Sequence, residues 1–178
     1  MNFSVEASIK LLQHTPSVLT ELLHNLSDEW IISNEGVDTW SPYDVMVHLI
    51  HGEKTDWIPR MEIILSDSTD RKFIPFDRMP ALDLLHRPDI NQLLEEFKQL
   101  RTSNLQILSQ KNITDQDLIK TGIHPVFGEV TLAQLLATWV VHDLNHLAQI
   151  SRVMAYQYID AVGPWIQYLG ILKSVNRP

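Results

Sequence analysis

Apolar residues recur at intervals of three and four along four long stretches of the chain, a period typical of amphipathic α-helices. The first stretch covers about residues 5–26. Pro16 lies inside it, and Thr15 directly before it could cap a new helix that has proline in its first turn. The pattern therefore predicts either one kinked helix or two short helices in this region.

The second helix is predicted over residues 42–65. Ser41 supplies an N-cap hydroxyl and is followed by a proline, which favours the first helical turn. Pro59 lies inside the pattern, so a kink near Asp56 is expected. On this helix His48 falls on the apolar stripe that faces the interior.

A segment with several prolines and little periodicity, residues 66–88, is predicted to be a long crossover. The third helix is predicted over residues 89–111, where apolar residues regain the helical spacing. Residues 112–130 contain two glycines and one proline, and the letters HPVFG within them indicate a short hairpin.

The fourth helix is predicted over residues 132–158, with Thr131 as its N-cap. Its buried stripe is predicted to consist of Leu135, Thr138, Trp139, His142, Asn145, His146, Gln149 and Val153. The letters GPWIQYLGILKS near the C-terminus predict one more short amphipathic helix, which begins at Pro164.

Four long helices and one long crossover indicate an all-α fold, a four-helix bundle with a short C-terminal helix. No internal repeat or low-complexity tract divides the chain, so residues 1–178 are predicted to form a single domain. Bundles of this kind often hold metal sites between facing helices.

Composition and charge narrow the function. The net charge of -8 and the scattered basic residues argue against nucleic-acid and anionic-membrane partners. No run approaches the ~18 apolar residues needed to cross a bilayer, and the N-terminus lacks the features of a signal peptide. We therefore expect a cytoplasmic protein that acts on a small-molecule substrate. The chain contains no cysteine, so any metal must be held by imidazole and oxygen ligands.

Two histidines spaced four residues apart are the strongest chemical signal. His142 and His146, in the letters HDLNH, share one face of the fourth helix with Cβ atoms about 6 Å apart. His48 could add a third imidazole, and such a site would keep coordination positions open for chemistry. The alternative is that each is a hydrogen-bonded core residue. Buried imidazoles without partners cost about 1–3 kcal/mol each, whereas one divalent ion satisfies three nitrogens at once.

Other polar residues could orient these ligands by accepting their second ring N–H. The candidates are Asp44, Asp143, Asn145 and Gln149. For the two aspartates a capping or solvated role is the simpler interpretation. Trp40 and Trp139 could wall a substrate cavity, although tryptophan in a helix stripe is usually core. Because imidazole binds metal only when neutral, and its ordinary pKa is ~6.5, metal affinity is expected to fall below about pH 6.

The residues resemble those of a known family. Trp40 and Ser41 begin a helix that leads to His48, and about ninety residues later comes the run FGEVTLAQLLATWVVHDLNHLAQI. With the helix count and the crossover before the third helix, this combination resembles the DinB-like superfamily over most of the chain.

The resemblance implies helices in up-down-down-up order and a homodimer. It implies a nickel or zinc ion, or another divalent metal, bound by His48, His142 and His146. It also implies an enzyme, because proteins of this type include metal-dependent transferases that act with low-molecular-weight thiols and proteins named metal-dependent hydrolases.

Three functions follow as hypotheses. The first is a thiol S-transferase, in which the metal binds a low-molecular-weight thiol and lowers its pKa. The second is a hydrolase that uses metal-activated water; HDLNH lacks the glutamate of HExxH, which disfavours peptide hydrolysis. The third is a non-catalytic bundle. A site with three protein ligands argues against it, because closed structural metal sites have four.

Overall fold

The computed structural model describes residues 3–77 and 87–173. The helices in this part of the chain are α1 (Val5–Leu23), α2 (Asp28–Ile32), α3 (Pro42–Thr55), α4 (Trp57–Leu65), α5 (Ile90–Gln110), α6 (Asp115–Leu118), α7 (Leu132–Tyr156) and α8 (Gly170–Lys173). Two strands, β1 (Thr121–His124) and β2 (Gly128–Thr131), and a 3₁₀ helix (Gly163–Tyr168) complete them. No described helix is both long and apolar enough to cross a membrane. The long helices α1, α3 with α4, α5 and α7 form the predicted four-helix bundle.

Contacts between the long helices give their relative directions. Asn25, two residues past the end of α1, contacts the first turn of α5, and the middle of α1 contacts the middle of α5, so these two helices run antiparallel. The start of α3 lies beside the residues before α5 and its last turn beside the middle of α5, so they run parallel. Helix α3 runs antiparallel to α7. Glu53, in the last turn of α3, contacts Trp139, whereas His48, in the middle of α3, lies beside His142, which is further along α7. The order is therefore up-down-down-up.

Capping boxes fix the starts of three bundle helices. In each, the N-cap side chain accepts a hydrogen bond from the backbone N–H of the third helical residue, and the side chain of that residue accepts one from the N-cap backbone N–H. The pairs are Ser41 with Asp44 before α3, Asp89 with Gln92 before α5, and Thr131 with Gln134 before α7. Local sequence therefore sets where these helices begin, as predicted for the starts at Ser41 and Thr131.

Helix α1 runs through Pro16 without ending, so the alternative of two short helices is wrong. Thr15 is not an N-cap. Its hydroxyl instead donates to Oδ2 of Asp143 on α7 at 2.6 Å, and the cap of α1 is Ser4. Both Thr15 and Pro16 are buried in the bundle. Packing and this buried hydrogen bond therefore outweigh the cost of the missing backbone N–H of proline.

The predicted kink in the second helix is confirmed as a break at Asp56, between α3 and α4. The backbone there has φ -110° and ψ -67°, and Pro59 falls in the first turn of α4. Because proline has no N–H to donate and fits a first helical turn, a new helix tolerates it where a continuous one would not.

The predicted hairpin is also confirmed, since β1 and β2 pair antiparallel with Thr121 opposite Thr131. The crossover contacts it: the backbone N–H of Phe73 donates to the carbonyl of Ile123 at 2.9 Å. Residues 78–86 of the predicted crossover lie outside the described residues. The predicted C-terminal helix is wrong as one element, because a 3₁₀ helix precedes α8; such short connectors often take this tighter form.

The bundle core has two apolar clusters, one toward each end, with a buried polar layer between them. One cluster includes Leu19, Met46, Phe97 and Ile150, and the other includes Leu12, Met61, Leu105 and Leu136. On each bundle helix a buried polar side chain lies in sequence between residues of the two clusters. These side chains are Thr15, Glu53, Arg101 and Asp143.

Candidate metal centre

Three histidines from two antiparallel helices meet in the core. His142 and His146 are one turn apart on α7, and His48 lies in the middle of α3. Nε2 of His142 lies 3.0 Å from Nε2 of His48 and 3.2 Å from Nε2 of His146. All three ligand atoms lie within 4.8 Å of one another. His48 and His142, ninety-four residues apart in sequence, are thus neighbours in the fold.

The distances from Nε2 of His142 to the other two nitrogens match a metal site. Imidazole nitrogens bound about 2.0–2.1 Å from one ion, at right or tetrahedral angles, lie about 2.9–3.4 Å apart. A neutral imidazole has a single N–H, so Nε2 of His142 can donate to one of its two neighbours but not to both. The contact with the other neighbour would then lack a hydrogen bond. A divalent cation satisfies all three nitrogens, and the donor set therefore fits one.

Gln149 orients one of the candidate ligands. Its Oε1 lies 2.8 Å from Nδ1 of His146, which donates the hydrogen bond. With the proton on Nδ1, the lone pair is on Nε2, which faces His142. His142 lacks such support, because its Nδ1 is buried without a hydrogen-bond partner among the described residues.

The surroundings keep two of the rings neutral. Burial, with smaller contributions from the neighbouring His146, His48 and Arg101, lowers the pKa of His142 to about 3. Burial and the neighbouring His48 together lower the pKa of His146 to about 4. The hydrogen bond to Gln149 and the charge of Asp143 oppose this lowering of the His146 pKa. Proton competition at these two rings is therefore displaced below the pH of about 6 expected from the sequence.

Aromatic rings surround the histidines. Trp40 stacks on His146 with ring centroids 6.1 Å apart and lies 4.8 Å from His48, the place predicted for a cavity wall. Trp139 does not take that place, because it is fully buried and donates its indole N–H to Glu53. The helix phase of α7 that buries the indole of Trp139 in the core also turns it away from the predicted cavity.

The sequence patterns did not predict two aromatic contacts to the histidines. Trp57 meets His142 edge to face at 5.1 Å, and Phe76 meets His48 in the same way at 5.5 Å. Trp57 follows the helix break, so the phase of α3 does not predict where it points. Phe76 lies in the crossover, where no periodicity exists to indicate burial. His51 lies at 5.1 Å from Phe76, outside the group of three convergent histidines.

The other polar candidates have different roles. Asp44 accepts from the backbone and hydroxyl of Ser41 at 2.9 and 2.7 Å, so it caps α3. Asn145 is exposed, as is Thr138, so both are wrong as members of the buried stripe. The position that faces inward is Asp143, only 2% exposed, which binds Arg101. Apolar spacing gave no sign of it, because a buried aspartate needs a partner on another helix.

The fold and the convergent histidines define a four-helix bundle with a candidate three-histidine metal centre. A family model of the DinB superfamily matches residues 11–150, so the chain belongs to that superfamily.

Relatives and a solved structure are similar to this chain. "Putative metal-dependent hydrolase OB0413" of Oceanobacillus iheyensis is 25% identical over 152 residues, which cover 83% of both chains. "Uncharacterized protein YuaE" of Bacillus subtilis is 23% identical over 146 residues, 74% of this chain and 87% of that protein. A structure described as "YfiT from Bacillus subtilis is a probable metal-dependent hydrolase with an unusual four-helix bundle topology" matches with a TM-score of 0.72 and 20% identity. That match covers 88% of this chain and 90% of the other, which supports the fold.

Proposed function

We propose that the chain is a metal-dependent enzyme in which His48, His142 and His146 hold one divalent ion, nickel or zinc. The observation that carries the proposal is the convergence of three Nε2 atoms at 3.0 and 3.2 Å in a buried place. Three protein ligands leave coordination positions open to small molecules. A bound ion would supply a Lewis acid that lowers the pKa of a coordinated thiol or water.

The chain's own residues prepare this site. Burial keeps His142 and His146 neutral, and Gln149 holds the proton of His146 on Nδ1. The rings of Trp40 and Phe76 pack against the histidines and limit access of water. A dry environment strengthens the interaction between a cation and an anionic nucleophile.

The nucleophile that we favour is a low-molecular-weight thiol. The carboxylate next to His142, Asp143, is held by Arg101 and Thr15, so it is not free to act as a general base for water. A thiolate needs no base once its pKa is lowered, and the chain has no cysteine of its own to serve as nucleophile. In such a transfer the thiolate sulfur would bond to an electrophilic carbon of the substrate and displace a leaving group such as halide, which departs with the electron pair of its bond, and the thiol proton would pass to solvent.

Hydrolysis is the second candidate, supported by the descriptions of the Oceanobacillus iheyensis relative and of the Bacillus subtilis YfiT structure. The same ion would then lower the pKa of a water molecule, and the products would be an acid and an alcohol or amine. The two candidates share the metal ligands and differ in whether an added thiol is required.

Metal content is the first experiment. Protein purified without chelator should contain about one nickel or zinc ion per chain, and His142→Ala or His146→Ala should remove it. Equal metal in both variants and in wild type would place the site elsewhere.

An activity assay then separates the two candidates. Wild type loaded with nickel or zinc is mixed with an activated aryl halide and with glutathione, bacillithiol or mycothiol in turn. Thiol transfer predicts a conjugate that needs both metal and thiol and is lost in His146→Ala. Hydrolysis predicts instead that an activated ester is cleaved without thiol. Full activity in the metal-free protein would contradict both.

A further inference from the structure

A buried ion network lies beside the candidate metal centre and is not explained by metal binding alone. The guanidinium of Arg101 donates from Nη1 to Oδ2 of Asp143 at 2.6 Å and from Nη2 to Oδ1 at 3.0 Å. Nη2 also donates to Oε1 of Glu53 at 2.9 Å. The three residues are 1–3% exposed. One planar guanidinium from α5 therefore joins α7 to α3, the two helices that carry the histidines.

Further hydrogen bonds tie this network to every bundle helix. Nη1 of Arg101 donates to the carbonyl of Leu12 on α1 at 2.9 Å. The indole of Trp139 on α7 donates to Oε1 of Glu53 on α3 at 3.0 Å, which gives a direct bond between the two ligand-bearing helices. Asn104 on α5 donates to Oε2 of Glu53 at 3.0 Å. The carboxylate of Glu53 is thus held from two sides.

The network is close to the ligands in sequence as well as in space. Asp143 follows His142 directly and sits three residues before His146. Because successive helical residues are 100° apart, holding Asp143 in a two-bond contact fixes the rotation of α7 about its axis at the histidines.

Stability alone does not account for such a network. Burying ions costs solvation energy, and apolar residues of similar volume often stabilise a core as well or better. Burial works against the charged form of Arg101, but the charges of Asp143 and Glu53 outweigh it and raise the pKa of the guanidinium. What apolar packing does not provide is a fixed rotation and register of two helices, since it tolerates small shifts.

We propose that Arg101, Glu53 and Asp143 form a positioning network that holds α3 and α7 in the register at which the Nε2 atoms of their histidines meet around one metal ion. The proposal rests on the proposed metal site. Arg101 is a positioning residue, since its hydrogen bonds go to Leu12, Glu53 and Asp143 and not to the candidate ligands.

The test measures nickel affinity and protein stability separately in Arg101→Met and Arg101→Lys. Methionine removes the positive charge, which by itself would tighten cation binding, whereas lysine keeps the charge and lacks the planar fork. Positioning predicts that the nickel Kd rises at least ~10-fold in both variants. The nickel absorption spectrum should change as well, since a displaced ligand alters the coordination. The nickel Kd is measured by titration calorimetry on those variants whose far-UV circular dichroism shows the helix content of wild type.

Controls make the outcome decisive. Arg152→Met breaks the partly buried ion pair of α7 with Glu35, outside the network, and should leave the nickel Kd and spectrum unchanged. Asp143→Asn keeps the shape of the side chain and removes its charge. If the Arg101 variants do not fold, a changed nickel absorption spectrum in this variant supports the proposal, because loss of the negative charge alone would raise the Kd without displacing a ligand.

Three results would overturn it. One is folded variants that bind nickel with the wild-type Kd and spectrum, even if their stability is reduced. Another is tighter binding by Arg101→Met, which would leave only an effect of charge. Failure of wild type to bind nickel or zinc would remove the proposed function itself, and this network role with it.

Discussion

Two polar clusters lie in the core of this bundle, between the same helices, and they differ in how their polar atoms are satisfied. In the ion network, the carboxylates of Glu53 and Asp143 accept hydrogen bonds from side chains on other helices, and only Nε of Arg101 is buried without a partner among the described residues. In the histidine cluster the nitrogens of His48 and His142 face one another.

The difference separates a structural role from a binding role. A cluster that contains both donors and acceptors can satisfy itself, and breaking it leaves a buried charge without a partner. In the histidine cluster the ligand nitrogens of three imidazoles converge, and burial keeps His142 and His146 neutral, so the cluster is suited to bind a cation. We therefore expect substitutions in the first cluster to affect stability most, and substitutions in the second to affect metal binding most.

The largest expected effect on the comparison comes from Arg101→Ala. Two carboxylates would be left buried without their cation, so the free energy of unfolding should fall by about 3–5 kcal/mol. Urea denaturation of the metal-free protein measures it. Arg152→Ala is the control, and its partly exposed pair should contribute about 1 kcal/mol or less. Equal losses in the two variants would remove the distinction between the clusters.

The second effect tests the histidine cluster through α3. His48→Ala should weaken nickel or zinc binding at least ~10-fold, a loss of ~1.4 kcal/mol or more in binding free energy, because one of three ligands is gone. His51→Ala, on the same helix but outside the convergent group, should leave metal in place. Titration calorimetry on both variants decides the matter. The reverse result would make His51 the third ligand.

A smaller effect on metal binding is expected from Gln149, which contacts a candidate ligand rather than the ion itself. Gln149→Leu removes the acceptor that holds the proton of His146 on Nδ1, and should weaken metal binding about 10-fold. Gln149→Glu keeps an acceptor there and should bind at least as tightly as wild type. Competition with a colorimetric chelator can measure both. Identical affinities in the two variants would show that this hydrogen bond does not support the ligand.

The smallest effect concerns pH between 7.5 and 5.5. A lowered pKa means that a ring holds its proton weakly, so protons displace metal from His142 and His146 only as the pH approaches about 4, near the lowered values of about 3 and 4. Metal occupancy at low free nickel should therefore change little from pH 7.5 to 5.5 and fall on further acidification. Circular dichroism monitors the fold in parallel. Loss of metal near pH 6.5 would indicate ordinary, solvent-exposed imidazoles.

Much of the bundle could be predicted from neighbouring residues. The N-caps at Ser41 and Thr131, the break at Asp56 and the hairpin at residues 124–128 depend on interactions between residues at most four positions apart or on turn chemistry. The spacing of His142 and His146 likewise places both imidazoles on one helix face. The sequence by itself therefore determined the number of long helices, most of their ends and the pair of histidines on α7.

Tertiary structure decided which helix faces meet, because side chains from different helices have no fixed spacing in sequence. It placed Asp143 beside Arg101, where hydrophobic periodicity predicted an outward position, since a buried ion is tolerated only with a partner from another helix. It kept α1 continuous through Pro16, because packing of that helix outweighs a local cost. The approach of His48 to the α7 histidines is of the same kind: it depends on the register of two antiparallel helices, which long-range contacts such as those of Arg101 and Glu53 set.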